Sequence, residues 1–287
     1  MTTESTLAPF DEEAGGECPP ELYRAKQAAG GLAGFAAVND DQIALFHEQG
    51  YLVIHDAFTP AEVGAALAGL LDLIGGKYPA YRGVQYEKNT RELVGTLMDE
   101  QKQDAVRKLW KMVEHEQRVA VLALHPQLIA LLARLIGGAP ELFQDQALLK
   151  PPLIGREKPW HQDNAYFNVP PDTPVVGVWI ALDEATPENG CMYVIPGSHR
   201  EGPVVHFKRR DWQICDTDVA AADAWTVPLQ PGGCLIFHGL LHHGTPPSRS
   251  PLRRRALQFH YKPAGVAQIA PAQRLAVFGS EGKDVTC

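Results

Sequence analysis

The chain has 287 residues, of which 45% are apolar, and a formal net charge of −8. That is enough apolar material for one substantial core, and the acidic balance argues against nucleic acid as a main partner. Cys18, Cys191, Cys215, Cys234 and Cys287 are scattered without CxxC spacing. With no basic-then-apolar leader and no apolar run of about 18 residues, the expectation is a cytoplasmic protein with reduced thiols and no membrane span.

Residues 1–38 are rich in Gly, Ala, Glu and Pro and read as a poorly ordered or loosely docked arm. Asp40 to Gln49 reads as a helix stopped by Gly50, and Tyr51-Leu52-Val53-Ile54 as a strand. Thr59-Pro60-Ala61-Glu62 has the form of a capping box with proline at the first helical position, opening a helix through Leu73. Residues 77–100, with Tyr78, Tyr81 and Tyr86, read as a long loop, followed by helices around 102–123 and 126–136. From Leu142 the pattern changes to short apolar strands broken by Pro and Gly. Helices followed by many short strands indicate an α+β arrangement. Residues 39–287 are expected to form one catalytic unit: a helical part 39–140, a β core 141–264 and an extension 265–287.

Trp160-His161-Gln162-Asp163 carries the chemistry. On a strand, residues two apart share a face, so His161 and Asp163 point the same way while Gln162 points away. Two imidazoles and one carboxylate can take three adjacent corners of an iron(II) site and leave three open. A second imidazole is available downstream in His242-His243-Gly244-Thr245, where the two histidines face opposite ways on a strand, or at His238. On spacing alone this is a possible mononuclear metal site. Arg253-Arg254-Arg255 opens an apparent strand through Tyr261, and alternation puts Arg254 on the face opposite to its two neighbours. A guanidinium keeps its charge when buried and pairs bidentately with carboxylate.

The ordered set of Lys150-Pro151-Pro152, Trp160 to Phe167, the strand Val175 to Leu182, Glu188-Asn189-Gly190-Cys191, Val194 to His199 and Pro231 to Thr245 resembles the phytanoyl-CoA dioxygenase family of iron(II)/2-oxoglutarate oxygenases. The resemblance spans roughly residues 40–264. It implies a mainly β core, a double-stranded β-helix (cupin-like jelly roll) with flanking helices. It implies Fe(II), the co-substrate 2-oxoglutarate and O2, with His161, Asp163 and His243 as metal ligands. His243 is selected because the family's distal ligand directly precedes Gly-Ser or Gly-Thr, leaving His242 as a packing residue. Arg254 and Thr245 are implied to hold the 2-oxoglutarate carboxylate, with Trp179 lining that pocket and Gln146 a further contact. Asn164, Tyr166 and Phe167 border the substrate pocket in the family, against the plain alternative that the aromatics are core. The implied reaction oxidises a small-molecule substrate with release of succinate and carbon dioxide. Because Asp163 is present, where halogenating relatives lack this carboxylate, hydroxylation of an aliphatic carbon is the default outcome.

Two readings from other classes stand beside this one. A non-oxidative metal enzyme on the same fold would have no use for Arg254 and Thr245, and an iron-binding sensor would need no complete motif. His199 is read as ordering a turn and Lys150 as supporting a strand end. Phe207 to Trp212 is read as a solvated loop in preference to a site for an acidic substrate. His260 has no partner spacing that argues for a role. Residues 77–100 and 200–225 are expected to form pocket walls or a lid.

Overall fold

The computed structural model describes residues 18–87 and 90–279; the first 17 residues of the expected arm, and Cys287, lie outside these. Two short strands, β1 (Gln27–Ala28) and β2 (Leu32–Ala33), precede helix α1 (Asp40–Gln49) and strand β3 (Tyr51–His55). The Asn39 side chain caps α1, accepting from the Asp41 amide at 2.8 Å, and Gly50 ends it at φ 83°. Helix α2 (Pro60–Ile74) starts at the expected box: the Thr59 amide donates to Glu62 at 2.8 Å and the Glu62 amide to Thr59 Oγ1 at 3.3 Å. There follow β4 (Val84–Tyr86), α3 (Asp99–Lys102), β5 (Val106–Trp110), α4 (Gln117–Ala123) and α5 (Pro126–Ile136). The remaining strands are β6 (Pro140–Lys150), β7 (Lys158–His161), β8 (Val176–Ala181), β9 (Met192–Val194), β10 (His206–Lys208), β11 (Trp212–Ile214), β12 (Trp225–Val227), β13 (Cys234–His238), β14 (His243–Thr245) and β15 (Arg254–Pro263), before α6 (Pro271–Phe278).

The strands form an eight-stranded sheet ordered β2-β3-β13-β8-β15-β6-β5-β4 and a five-stranded sheet ordered β1-β12-β9-β14-β7. The period-2 alternation of the large sheet decides its packing. Leu52, Ile54, Val178, Ile180, Leu257 and Phe259 turn outward into a core shared with α1, α2, α4 and α5. Val53, Trp179, Ala181, Leu235, Phe237 and Ala256 turn inward against Met192 and Val194 of the small sheet. Two stacked sheets with helices on one outside face are the jelly roll expected; the sheets do not close into a barrel. Among the described residues no single helix is long and apolar enough to cross a membrane.

Three expectations change. The helix expected over 102–123 contains strand β5, which pairs with β6 and β4; helix resumes only at α4. The loop expected over 77–100 contains β4 and the start of α3. The arm, over residues 18–38, is docked: β1 lies parallel to β12 on the small sheet, and β2 parallel to β3 on the large one. Tyr23 stacks on Trp160 (centroids 5.7 Å apart), and the Trp160 indole donates to the Leu22 carbonyl at 3.0 Å. Burial of those aromatics outweighs the low propensity of the segment.

Candidate metal centre

His161 ends β7 and His243 begins β14, and the antiparallel register puts them directly opposite each other. Asp163 stands two residues beyond the end of the strand, in the short helical turn 163–166. His161 and Asp163 thus come together as alternation expects, although the second residue has left the strand. One ligand atom from each of His161, Asp163 and His243 lies within 4.8 Å of the others. Asp163 Oδ1 is 3.3 Å from His161 Nε2 and 3.5 Å from His243 Nε2. The three residues are 4%, 5% and 2% exposed.

The donor set suits a borderline cation. His161 Nδ1 meets the Pro159 carbonyl at 2.7 Å and His243 Nδ1 the Leu241 carbonyl at 2.9 Å. Each carbonyl requires an N–H opposite it, so in the neutral form of each ring the lone pair is on Nε2, and both Nε2 atoms face the same point. Burial, then the neighbouring His243 and Lys158, push the His161 pKa down to about 3. Burial alone would raise the Asp163 pKa, but the His243, His260 and His161 rings around it outweigh this and hold it well below the ordinary range. Neutral imidazoles and an ionised carboxylate are the deprotonated state that a metal needs. Phe237 supports His243 at a centroid distance of 4.7 Å, and it fits there because its cross-strand partner is Gly177, where a Cβ would come within 2.5 Å of the Phe237 ring.

His242 is buried and its Nε2 has no hydrogen-bond partner, while its amide donates to Ser198 Oγ at 2.9 Å. It does not join the cluster, nor does His238. Gln162 is fully buried and points away as expected. Its amide nitrogen donates to the Gly202 and Leu240 carbonyls (2.8 Å each) and its oxygen accepts from the Val204 amide at 2.9 Å. It pins two loops to the segment between the ligands.

The three arginines separate as alternation requires. Arg253 pairs with Asp104 (2.5 Å) and Arg255 with Asp183 (2.6 Å). Arg254 is 3% exposed and has no carboxylate partner among the described residues. Its Nη1 donates to the Leu148 carbonyl at 3.1 Å, its Nε is unpartnered, and its guanidinium lies 5.4 Å from the Trp179 ring centroid. Burial lowers its pKa to about 10. A buried cation without a counter-charge is suited to an anionic ligand. Thr245 is buried on β14, past a bulge that follows His243. Gln146 sits opposite Gln258, which is opposite Trp179, so the three form one row across β6, β15 and β8. Gln146 also accepts from the Trp110 indole at 3.3 Å.

Tyr166 packs edge-on against His161 at 5.6 Å. Its hydroxyl donates to the Trp212 carbonyl at 2.5 Å and accepts from Lys158 Nζ at 2.7 Å. Phe167 packs on Phe143 and His260, at 4.9 and 4.8 Å. Asn164 donates weakly to the Pro171 and Thr173 carbonyls, 3.4 and 3.3 Å away, and so ties down a loop. The loop expected over 207–212 is instead a hairpin, β10–β11, folded onto the site. Asp211 is buried and bridges Lys158 (2.8 Å) and Arg107 (3.9 Å), while Arg210 pairs with Glu157 and Asp216. The sheltered carboxylates provide the counter-charges that a solvated loop would lack.

Sequence reasoning missed three inward residues. Gln258 and His260 share the inner face of β15 with Arg254, and both donate to Asp163 Oδ2, at 3.1 and 2.7 Å. Extending the alternation that sets Arg254 apart from its two neighbours would have found them. Lys108 lay hidden in the misread helix. Its ammonium is pushed down to about 7, mainly by burial, with Lys158 and Arg107 adding to this and Asp211 and Asp163 opposing it.

Solved structures place this architecture among non-haem iron and 2-oxoglutarate-dependent enzymes. EctD from S. alaskensis with bound Fe is 20% identical with a TM-score of 0.68, covering 92% of this chain and 90% of that one. The epimerase SnoN, in complex with Fe3+, alpha ketoglutarate and nogalamycin RO, is 20% identical with a TM-score of 0.63, covering 81% and 86%. At that identity they establish the fold. The chain belongs to the phytanoyl-CoA dioxygenase (PhyH) family, whose model matches residues 46–256 and whose members use Fe(II), 2-oxoglutarate and O2. A phytanoyl-CoA dioxygenase of Arabidopsis thaliana is 26% identical over 251 residues, covering 78% of this chain and 88% of that protein. The phytanoyl-CoA dioxygenase domain-containing protein 1 of Danio rerio is 30% identical over 165 residues, 53% of this chain and 52% of that protein, so the match spans about half of its length.

Proposed function

We propose that this chain is an iron(II)- and 2-oxoglutarate-dependent oxygenase that hydroxylates an aliphatic carbon of a small-molecule substrate, with release of succinate and carbon dioxide. The observation that carries the reading is the pairing of two features: three converging donor atoms and, on the facing sheet, a buried arginine with no acidic partner among the described residues. A non-oxidative metal enzyme would need the first and not the second.

In this reading His161, Asp163 and His243 hold the iron, and the bound metal with its keto-acid supplies the oxidation of the substrate carbon. The protein's own residues bind, orient and exclude water. Arg254 takes the far carboxylate of 2-oxoglutarate, with Thr245 beside His243 and Trp179 under the guanidinium. Gln146 lies in the same row. Lys108, on the inner face and without a close carboxylate, suits the near carboxylate; a depressed amine pKa is recovered when an anion arrives. Tyr166 and Phe167 wall the site, whereas the hydrogen bonds of Asn164 favour a loop-holding role. The free thiols of Cys18, Cys191, Cys215 and Cys234 support a cytoplasmic setting.

The test is anaerobic titration of the apo-protein with iron(II) and then 2-oxoglutarate, following the visible charge-transfer band of the chelate. The band is expected in the wild type and absent in Arg254→Ala. Iron binding without any band would favour the non-oxidative metal enzyme.

A further inference from the structure

Asp163 presents its two oxygens to different partners. Oδ1 faces the two imidazole Nε2 atoms. Oδ2 faces β15, where His260 Nε2 stands at 2.7 Å and Gln258 Nε2 at 3.1 Å, the two nitrogens being 3.0 Å apart as they converge on one oxygen. A carboxylate oxygen offers about two lone-pair directions. Two donors on Oδ2 use both, leaving that oxygen nothing to give a metal, while Oδ1 keeps its pairs.

The His260 ring is placed for this contact. It is fully buried, and its Nδ1 has no hydrogen-bond partner. The tautomer follows: a proton on Nδ1 would bury an unmet N–H and turn the Nε2 lone pair toward a carboxylate, so the proton is on Nε2. Phe167 packs against the ring at 4.8 Å and Phe143 at 6.3 Å, which fixes its angle. Gln258 lies between Gln146 and Trp179 in the cross-strand row.

We infer that His260, together with Gln258, is a positioning residue that commits Asp163 to ligation through one oxygen. This keeps the corner that a chelating carboxylate would fill free for the co-substrates. The inference rests on the metal-site reading above. It also explains why β15 carries Arg254, Gln258 and His260 on one face: a single rigid strand sets both the anion clamp and the outer side of the ligand carboxylate.

The experiment uses cobalt(II) as a redox-quiet probe on the full-length apo-protein, reading its dissociation constant by competition and the visible spectrum of the bound ion. His260→Phe keeps the aromatic packing and removes the donor. It is expected to weaken cobalt(II) binding about 10- to 100-fold and to alter the spectrum. His260→Gln places an amide N–H near the position of Nε2 and is expected to restore both to near wild type. Gln258→Leu removes the second donor and is expected to weaken binding about 10-fold, which keeps the test alive if His260→Phe does not fold. Wild-type affinity and spectrum in both His260→Phe and Gln258→Leu would overturn the inference. So would His260→Gln behaving like His260→Phe, since the ring would then serve packing alone. Failure of the metal-site reading is distinct: wild type and His161→Ala would bind cobalt(II) equally poorly.

Discussion

Replacing Arg254 by Met should move stability in opposite directions with and without 2-oxoglutarate. Burial pushes the guanidinium pKa down to about 10, against an ordinary value of about 12.5. At about 1.4 kcal/mol per pH unit, the buried charge costs the apo fold about 3 kcal/mol. The sign follows from a base whose folded pKa is depressed: the cost is present at all pH values below about 10 and is relieved only as pH rises past it. Set against this are about 1 kcal/mol for the hydrogen bond to Leu148 and about 1–2 kcal/mol for the Trp179 face. The apo Met variant should therefore match the wild type or exceed it by about 1 kcal/mol, or about 2–4 °C in Tm. With 2-oxoglutarate at 100 times its Kd the wild type gains about 2.7 kcal/mol, whereas the variant's ligand has lost about 2–5 kcal/mol of binding and stabilises little. Thermal melts with manganese(II) under nitrogen, with and without 2-oxoglutarate, measure both terms. An undiminished 2-oxoglutarate shift in Arg254→Met would refute the clamp, and an apo variant melting more than about 5 °C below wild type would refute the account of an unpaired buried charge.

His243→Ala should abolish stoichiometric metal binding and His242→Ala should leave it intact, as measured by bound iron after gel filtration; the reverse result would move the distal ligand by one residue. Arg255→Ala breaks the pairing with Asp183 and should lower stability by about 1–3 kcal/mol without changing the 2-oxoglutarate shift. Asp211→Asn removes the buried counter-charge of half-buried Lys158 and should cost about 3 kcal/mol in chemical denaturation; a neutral effect would mean that the hairpin is not held by that ion pair. Burial pushes His206 to about 3 and His238 to about 4. Both are bases with depressed pKa values, so the unfolded chain binds their protons first. Apo stability should then fall as pH drops below about 6.5, by about 1.4 kcal/mol per pH unit for each. Urea melts at pH 7, 6 and 5 should show this slope, reduced by one proton in His206→Gln.

The His161–Asp163 pair and the inward arginine were legible because both rest on a period of two, which survives whatever the strand packs against. The same rule, continued along β15, reaches Gln258 and His260; they were passed over because their partner, Asp163, is distant in sequence. Strand β5 was illegible for a local reason. Its pairing with β4 slips at one residue, leaving Arg107 opposite nothing and Val106 and Leu109 on the same buried side. That bulge turns an alternation of two into a spacing of three, which reads as a helix. β1 and β2 are two residues each, and only the sheet edges they join give them an extended form.

The docked segment of residues 18–38 gives the sandwich two unlike seams. On one side β1 and β2 stitch the margins of the two sheets with backbone hydrogen bonds. On the other side, where β7 faces β4 and β5, Asp211 bridges Lys158 and Arg107 by side-chain charge. Parting the stitched side would bare backbone amides, while parting the other side returns ionic groups to water that solvates them well. The sandwich is thus bound like a book along its spine, and the pages carrying His161 and Lys108 lie at its fore-edge.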